Sequence, residues 1–108
     1  MKTIGFVKEL VPLILSGKKT VTWRCFDHRN LTVGDNLLFI ESESREPFAR
    51  VKVVYVKKAT FGSLTDEDKE GHEHYLDDEQ MLTTFSRYYK TPITLDTELK
   101  IVGFELVD

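Results

Sequence analysis

Leu15-Ser16-Gly17-Lys18-Lys19-Thr20-Val21-Thr22-Trp23-Arg24 is the stretch whose reading decides the fold. Upstream of it, Leu10, Val11, Leu13, Ile14 and Leu15 recur at helical spacing between Glu9 and Ser16, and Pro12 is tolerable there only in a first turn. Downstream, Thr20, Thr22 and Arg24 alternate with Val21 and Trp23, and β-branched and aromatic residues in alternation argue for a strand. Gly17 stands between the two patterns. Glycine is favoured just past a helix C-terminus because it enters positive φ without a Cβ clash. The sequence therefore predicts a sharp helix-to-strand corner that presents two lysines, two threonines and an arginine. Such a corner can bind an anion, activate a nucleophile, or be a solvated edge.

Outward from the corner, Thr3 to Val7 reads as a short strand and Cys25 to Thr32 as a polar loop. Val33-Gly34-Asp35 is a turn ahead of the apolar strand Leu37 to Ile40. Phe48 to Val56 alternates as a long strand with a slip near its end, the mark of a bulge. Thr65 with Asp68 three residues on approaches a capping box, opening a short acidic helix that stops at Gly71. Asp77-Asp78 opens a second helix through Met81, Leu82, Phe85, Tyr88 and Tyr89, ended by Thr91-Pro92. Leu99 to Val107 is a closing strand. Five to six strands with two or three short inserted helices predict a small α+β barrel.

The 108 residues carry a formal charge of −3 and suit one domain, 1–108. Residues 1–58 hold 11 Lys/Arg and 6 Asp/Glu, whereas residues 59–108 hold 4 and 12. A protein that wraps long nucleic acid gains from a globally basic surface, and this chain lacks one. The composition instead favours a local basic pocket for a base, a nucleoside or a short single strand. Met1-Lys2-Thr3 leads into only a four-residue apolar run, and no apolar stretch is long enough for a membrane span. Cys25 is the only cysteine, so no internal disulfide can form. These features set the expectation of a cytoplasmic protein without a membrane partner, its oligomeric state open.

Lys19 and Thr22 are the first candidates for chemistry. A lysine becomes a base near neutral pH only when burial or a second cation, here Lys18 or Arg24, lowers its proton affinity. It can then take the proton of a threonine hydroxyl, which attacks a carbonyl while a carboxylic acid protonates the leaving nitrogen. The alternative is two solvated lysines at a helix C-terminus and two strand-forming threonines. Spacing leaves both open. Glu70, beside Gly71, is a candidate carboxylate aimed beneath Lys19, with Glu73 a nearby competitor. His72 and His74 lack a third spaced ligand, so no metal and no cofactor are expected. Trp23 and Tyr55 offer faces for stacking on a base, although Trp23 shares its face with Val21 and also reads as core. Cys25 has no histidine partner pattern and is not expected to be catalytic.

Gly17 to Arg24 resembles the Gly-x-Lys-Thr-x-x-x-Arg signature of ASCH domains, which are related to the PUA fold. Further marks follow in order: Val33-Gly34-Asp35, the Phe61-x-x-Leu64-Thr65 turn, Glu70-Gly71 and the final strand Ile101 to Leu106. The resemblance covers nearly the whole chain and implies a β-barrel whose cleft, proposed to bind RNA, is lined by the Lys19 corner and the Glu70 segment. In size, and in the second threonine, the chain is similar to a branch of bacterial N4-acetylcytidine amidohydrolases. That likeness implies Lys19 as proton acceptor, Thr22 as nucleophile and Glu70 as proton donor. The interval from Leu64-Thr65 to Glu70 is shorter than in the branch, which keeps Glu73 in contention. Arg24 would hold a carbonyl or phosphate oxygen. The competing expectation is a non-catalytic module binding a modified nucleoside or short single-stranded RNA through Lys18, Lys19, Arg24 and Arg29, with Trp23 in the same cleft. A third is an interaction domain whose acidic 66–79 segment meets a basic partner.

Overall fold

The computed structural model describes residues 1–107. Five strands form one mixed sheet: β1 (Lys2–Phe6), β2 (Val21–Arg24), β3 (Asn36–Glu41), β4 (Pro47–Thr60) and β5 (Glu98–Val107), in the order β1-β3-β4-β5-β2. β1 runs parallel to β3, and every other pair is antiparallel. Three short helices are inserted between strands, α1 (Val11–Leu15), α2 (Asp66–Lys69) and α3 (Asp78–Tyr89). The architecture is a small α+β, PUA-like barrel.

β4 is longer than the alternation of Phe48 to Val56 implies, because β5 pairs with it as far as Thr60 and Glu98. The expected slip is a register shift between Val53 and Tyr55. Such a bulge bends the strand and strengthens its twist, and here it lays the Tyr55 ring over Gly103. A Cβ on Gly103 would stand 2.1 Å from that ring. This close approach explains a glycine in the middle of the closing strand.

The bent sheet separates two apolar cores. One, inside the curl, joins Ile4, Phe6, Ile14, Leu31, Leu37, Phe39, Val51, Val53, Val102 and Phe104. The other lies under α3 and joins Val21, Trp23, Cys25, Phe61, Met81, Phe85, Ile93, Leu99 and Ile101. Successive strand residues point to opposite faces. In β5, Leu99 and Ile101 accordingly serve the second core while Val102 and Phe104 serve the first. Val21, Trp23 and Cys25 likewise face α3, which leaves Thr22 and Arg24 for the other side of β2.

Helix ends follow local chemistry. The Thr65 hydroxyl accepts from the Asp68 amide at 3.2 Å, and the Asp68 carboxylate accepts from the Thr65 amide at 3.0 Å, a completed capping box. Asp77 caps α3 by accepting from the Gln80 amide at 2.8 Å. Lys90, with φ 54°, closes it in the left-handed region. Among the described residues no helix is long and apolar enough to cross a membrane.

Candidate active site

The edge strands β1 and β2 approach one another at a cleft of about 210 Å³, lined by the ends of both strands, the loop after α2 and the last turns of α3. Two glycines build this geometry. Gly17, with φ +80°, turns the chain out of α1, its N–H donating to the Ile14 carbonyl at 3.2 Å. The Lys19 amide then reaches back to the Leu13 carbonyl at 2.9 Å. Gly71, with φ +76°, sets its carbonyl against the start of β2, where the Thr20 and Val21 amides donate to it at 2.9 and 3.3 Å. A Cβ on Gly71 would lie 2.0 Å from the Thr20 hydroxyl. The chain after Gly71 is thereby pressed onto the Lys19 corner, and His72 and Glu73 enter the cleft.

Lys19 is buried, 3% exposed. Its ammonium donates to the Val21 carbonyl at 2.8 Å and sits 2.9 and 3.1 Å from the two carboxylate oxygens of Glu73. Burial holds the amine down at about 8, against the opposing pull of Glu73. Glu73 is desolvated too, which by itself would raise it, but hydrogen bonds and charge from His72 and Lys19 outweigh that and hold the carboxyl at about 2. His72 Nδ1 is 2.7 Å from Glu73 Oε2 and 3.0 Å from the Glu73 carbonyl. Burial moves this imidazole below its ordinary value, with Glu73 pulling the other way. A lysine poised close to neutrality beside a fixed carboxylate is an arrangement suited to proton transfer.

Thr22 is 4% exposed and lines the same cleft. Its hydroxyl oxygen accepts from Arg24 Nε at 3.2 Å. The same guanidinium donates through Nη2 to the Gly5 carbonyl on β1 at 3.1 Å and lies over the Phe6 ring, 4.8 Å from its centroid. Arg24 thus ties the two edge strands together and places positive charge on the threonine oxygen, which favours loss of its proton. Burial lowers the proton affinity of the guanidinium, which nonetheless stays charged near neutral pH.

The remaining lining is aromatic, from Phe6, Tyr75, Phe85, Tyr88 and Tyr89. The Tyr89 hydroxyl accepts from the Cys25 amide at 2.9 Å, and burial pushes the Cys25 thiol up to about 11. Trp23 is 3% exposed, flanked by His72, whose ring centroid is 3.7 Å away at an interplanar angle of 14°, and by Phe85 at 6.0 Å. Its Nε1–H is buried without a protein partner. An indole held in that stack leaves its face to His72 rather than to an incoming base.

The structure therefore brings Lys19, Thr22, Arg24 and Trp23 into one cleft. Glu70 lies elsewhere: it is exposed and borders a separate depression with Thr20, Tyr55 and Gly103. The reason is the turn at Gly71, which reverses the chain so that Glu73, two residues beyond it, meets Lys19. Lys18 and Arg29 are exposed and do not line the cleft. His74 is exposed, apart from the buried His72. Sequence reading missed His72 as a partner of Glu73 and the tyrosine wall, because Tyr88 and Tyr89 fit a core-facing helix stripe equally well. The only available signal was the run Glu70-Gly71-His72-Glu73 following a helix stop.

No family model matches the sequence, and no curated protein is detectably similar to it. Solved structures are. A DUF984-family protein from Enterococcus faecalis superposes with a TM-score of 0.80 at 19% identity, over 100% of this chain and 81% of that one. An ASCH domain from Lactobacillus crispatus gives 0.71 at 14% identity, over 97% and 79%. The ASCH protein of Zymomonas mobilis gives 0.61 at 14% identity, over 98% and 66%. The chain has the fold of ASCH domains, as the signature in residues 17–24 implies.

Proposed function

We propose that this cleft hydrolyses the amide of an acylated exocyclic amine on a nucleobase, an N4-acylated cytidine being the substrate class that fits best. The observation that carries the reading is the buried Lys19 amine, held at about 8 against Glu73 in the cleft that also contains an arginine-bonded threonine hydroxyl. Neutral Lys19 accepts the Thr22 hydroxyl proton as Oγ1 attacks the acyl carbonyl carbon. The tetrahedral intermediate collapses with cleavage of the C–N bond, and the leaving amine takes a proton through Glu73, recharged from the Lys19 ammonium bonded to it. Water then attacks the Thr22 ester with Lys19 as base, releasing the carboxylic acid and restoring the hydroxyl. Glu73 takes the role that the resemblance assigns to Glu70, because it is the carboxylate in contact with Lys19. The aromatic walls suit a planar base.

The direct test is mass spectrometry of the protein quenched during incubation with N4-acetylcytidine. An acylated peptide containing Thr22, absent from Thr22→Val, supports the reading. Turnover by a folded Thr22→Val protein excludes Thr22 as nucleophile. The second reading, a non-catalytic RNA-binding module, draws on the exposed cations Lys18 and Arg29, which lie outside the cleft. It requires binding of a short single strand that weakens steeply with salt, together with no turnover.

A further inference from the structure

We propose that His72 is a positioning residue of this site, acting through Glu73: its Nδ1–H is bonded to the Glu73 main-chain carbonyl with the carboxylate beside it, which holds Glu73 against Lys19, and its stack on Trp23 fixes the ring that does so. The inference rests on the hydrolytic reading for its consequence, but its geometry stands apart from that reading.

Both atoms within reach of His72 Nδ1 are oxygens of Glu73, the carboxylate Oε2 at 2.7 Å and the main-chain carbonyl at 3.0 Å. Neither can donate, since a carboxylate and a carbonyl are acceptors only. Nδ1 must therefore carry the proton, whatever the charge of the ring. The ring itself cannot swing away. It is 7% exposed, lies nearly parallel to Trp23 with centroids 3.7 Å apart, and has Tyr75 and Phe85 at 6.1 and 6.3 Å. Trp23 is in turn held from its other neighbours by Phe61 and Phe85. The charged groups acting on the ring are Lys19 from the corner before β2 and Glu73 from its own segment; Arg24 and the Tyr75, Tyr88 and Tyr89 hydroxyl-bearing rings share the cleft.

Glu73 needs such a brace. It lies on a loop, and a single lysine is a point charge on a flexible stem that does not fix a carboxylate's orientation. With its main-chain carbonyl bonded to His72, Oε2 2.7 Å from the same ring nitrogen and both carboxylate oxygens in reach of Lys19, Glu73 is fixed at its backbone and at its side chain. Fixing a proton donor in this way matters because small displacements of a catalytic group carry large rate penalties. A carboxylate that accepts two charged or strongly polar donors also holds a proton weakly, so a proton arriving from Lys19 is passed on to the leaving nitrogen.

Two measurements test this. In 15N-histidine NMR of the wild-type protein, His72 is expected as the Nδ1–H tautomer at neutral pH, with Nε2 unprotonated. A ring protonated at Nε2 and not at Nδ1 overturns the assignment, and this readout needs no substrate. In kinetics on N4-acetylcytidine, His72→Phe keeps an aromatic stack but removes the donor, whereas His72→Asn puts an amide N–H near the place of Nδ1. His72→Phe should lower kcat about tenfold or more with KM little changed, and His72→Asn should recover a clear part of the loss. Equal losses in both, or a loss confined to KM, contradict a role through Glu73. If the wild type turns nothing over, the hydrolytic reading fails by itself, and the tautomer still decides whether His72 braces Glu73.

Discussion

In the proposed hydrolysis, the buried Lys19 amine serves as base and at the same time carries a cost to the fold. Only its neutral form can accept the Thr22 proton, so kcat/KM is expected to rise with pH and level off above about 8, where the amine has lost its proton. A pH–rate profile flat from about 6 to 10 would remove Lys19 from the base role. Arg24 makes a second prediction. Arg24→Lys keeps the charge but not the fork that reaches Thr22 and Gly5 together. Its expected result is a fall in kcat with little loss of expression or solubility, read by steady-state kinetics beside circular dichroism. The residues that meet in the cleft were only partly visible in the chain. Lys19, Thr22 and Arg24 stand in one short stretch and were legible from it. Glu73 was not separable from Glu70, since the reversal at Gly71 depends on a close approach to Thr20 that lies 51 residues away in sequence.

The segment from Thr65 to Asp78 is the element that completes the cleft, and Gly71 is its fulcrum. Its positive φ and the 2.0 Å approach that a Cβ would make to the Thr20 hydroxyl both oppose substitution. Gly71→Ala should destabilise the protein by about 1–3 kcal/mol in urea unfolding, and should lower kcat further by withdrawing Glu73 from Lys19. Unchanged stability would mean that the segment does not dock through Gly71. Periodicity and capping chemistry made the strands and helices around this segment legible: Thr65 with Asp68, and Asp77 ahead of α3, sit where local hydrogen bonding puts them. Strand ends were less so. β4 runs on to Thr60 because β5 pairs with it there, and a partner strand contributed from the far end of the chain leaves no local trace.

Across the molecule, the curled sheet brings its two edges to one cleft and places a buried lysine–carboxylate pair between two apolar cores. Such a pair has a signature in stability against pH. Glu73 is held at about 2, below its ordinary 4.5, so the stability it contributes is present above about 4.5 and is lost as pH falls toward 2. Lys19 acts at the other end. Held at about 8 against an ordinary 10.5, it binds its proton less readily folded than unfolded, so stability rises between those two values. Urea unfolding across both windows should show the rise in wild type and lose the alkaline part in Lys19→Met; a Lys19→Met profile parallel to wild type there would contradict the burial of a charged amine. The barrel itself was legible from alternation and the order of its marks, whereas the meeting of β1 with β2 was not, because Arg24 bridges them through a main-chain carbonyl that any residue supplies. The most direct measurement is to incubate the purified protein with N4-acetylcytidine and follow ultraviolet absorbance, with Lys19→Ala beside the wild type. Conversion to cytidine by the wild type, lost in Lys19→Ala, is the expected result; no conversion by a folded wild-type protein, or equal conversion by the variant, would contradict hydrolysis at this cleft.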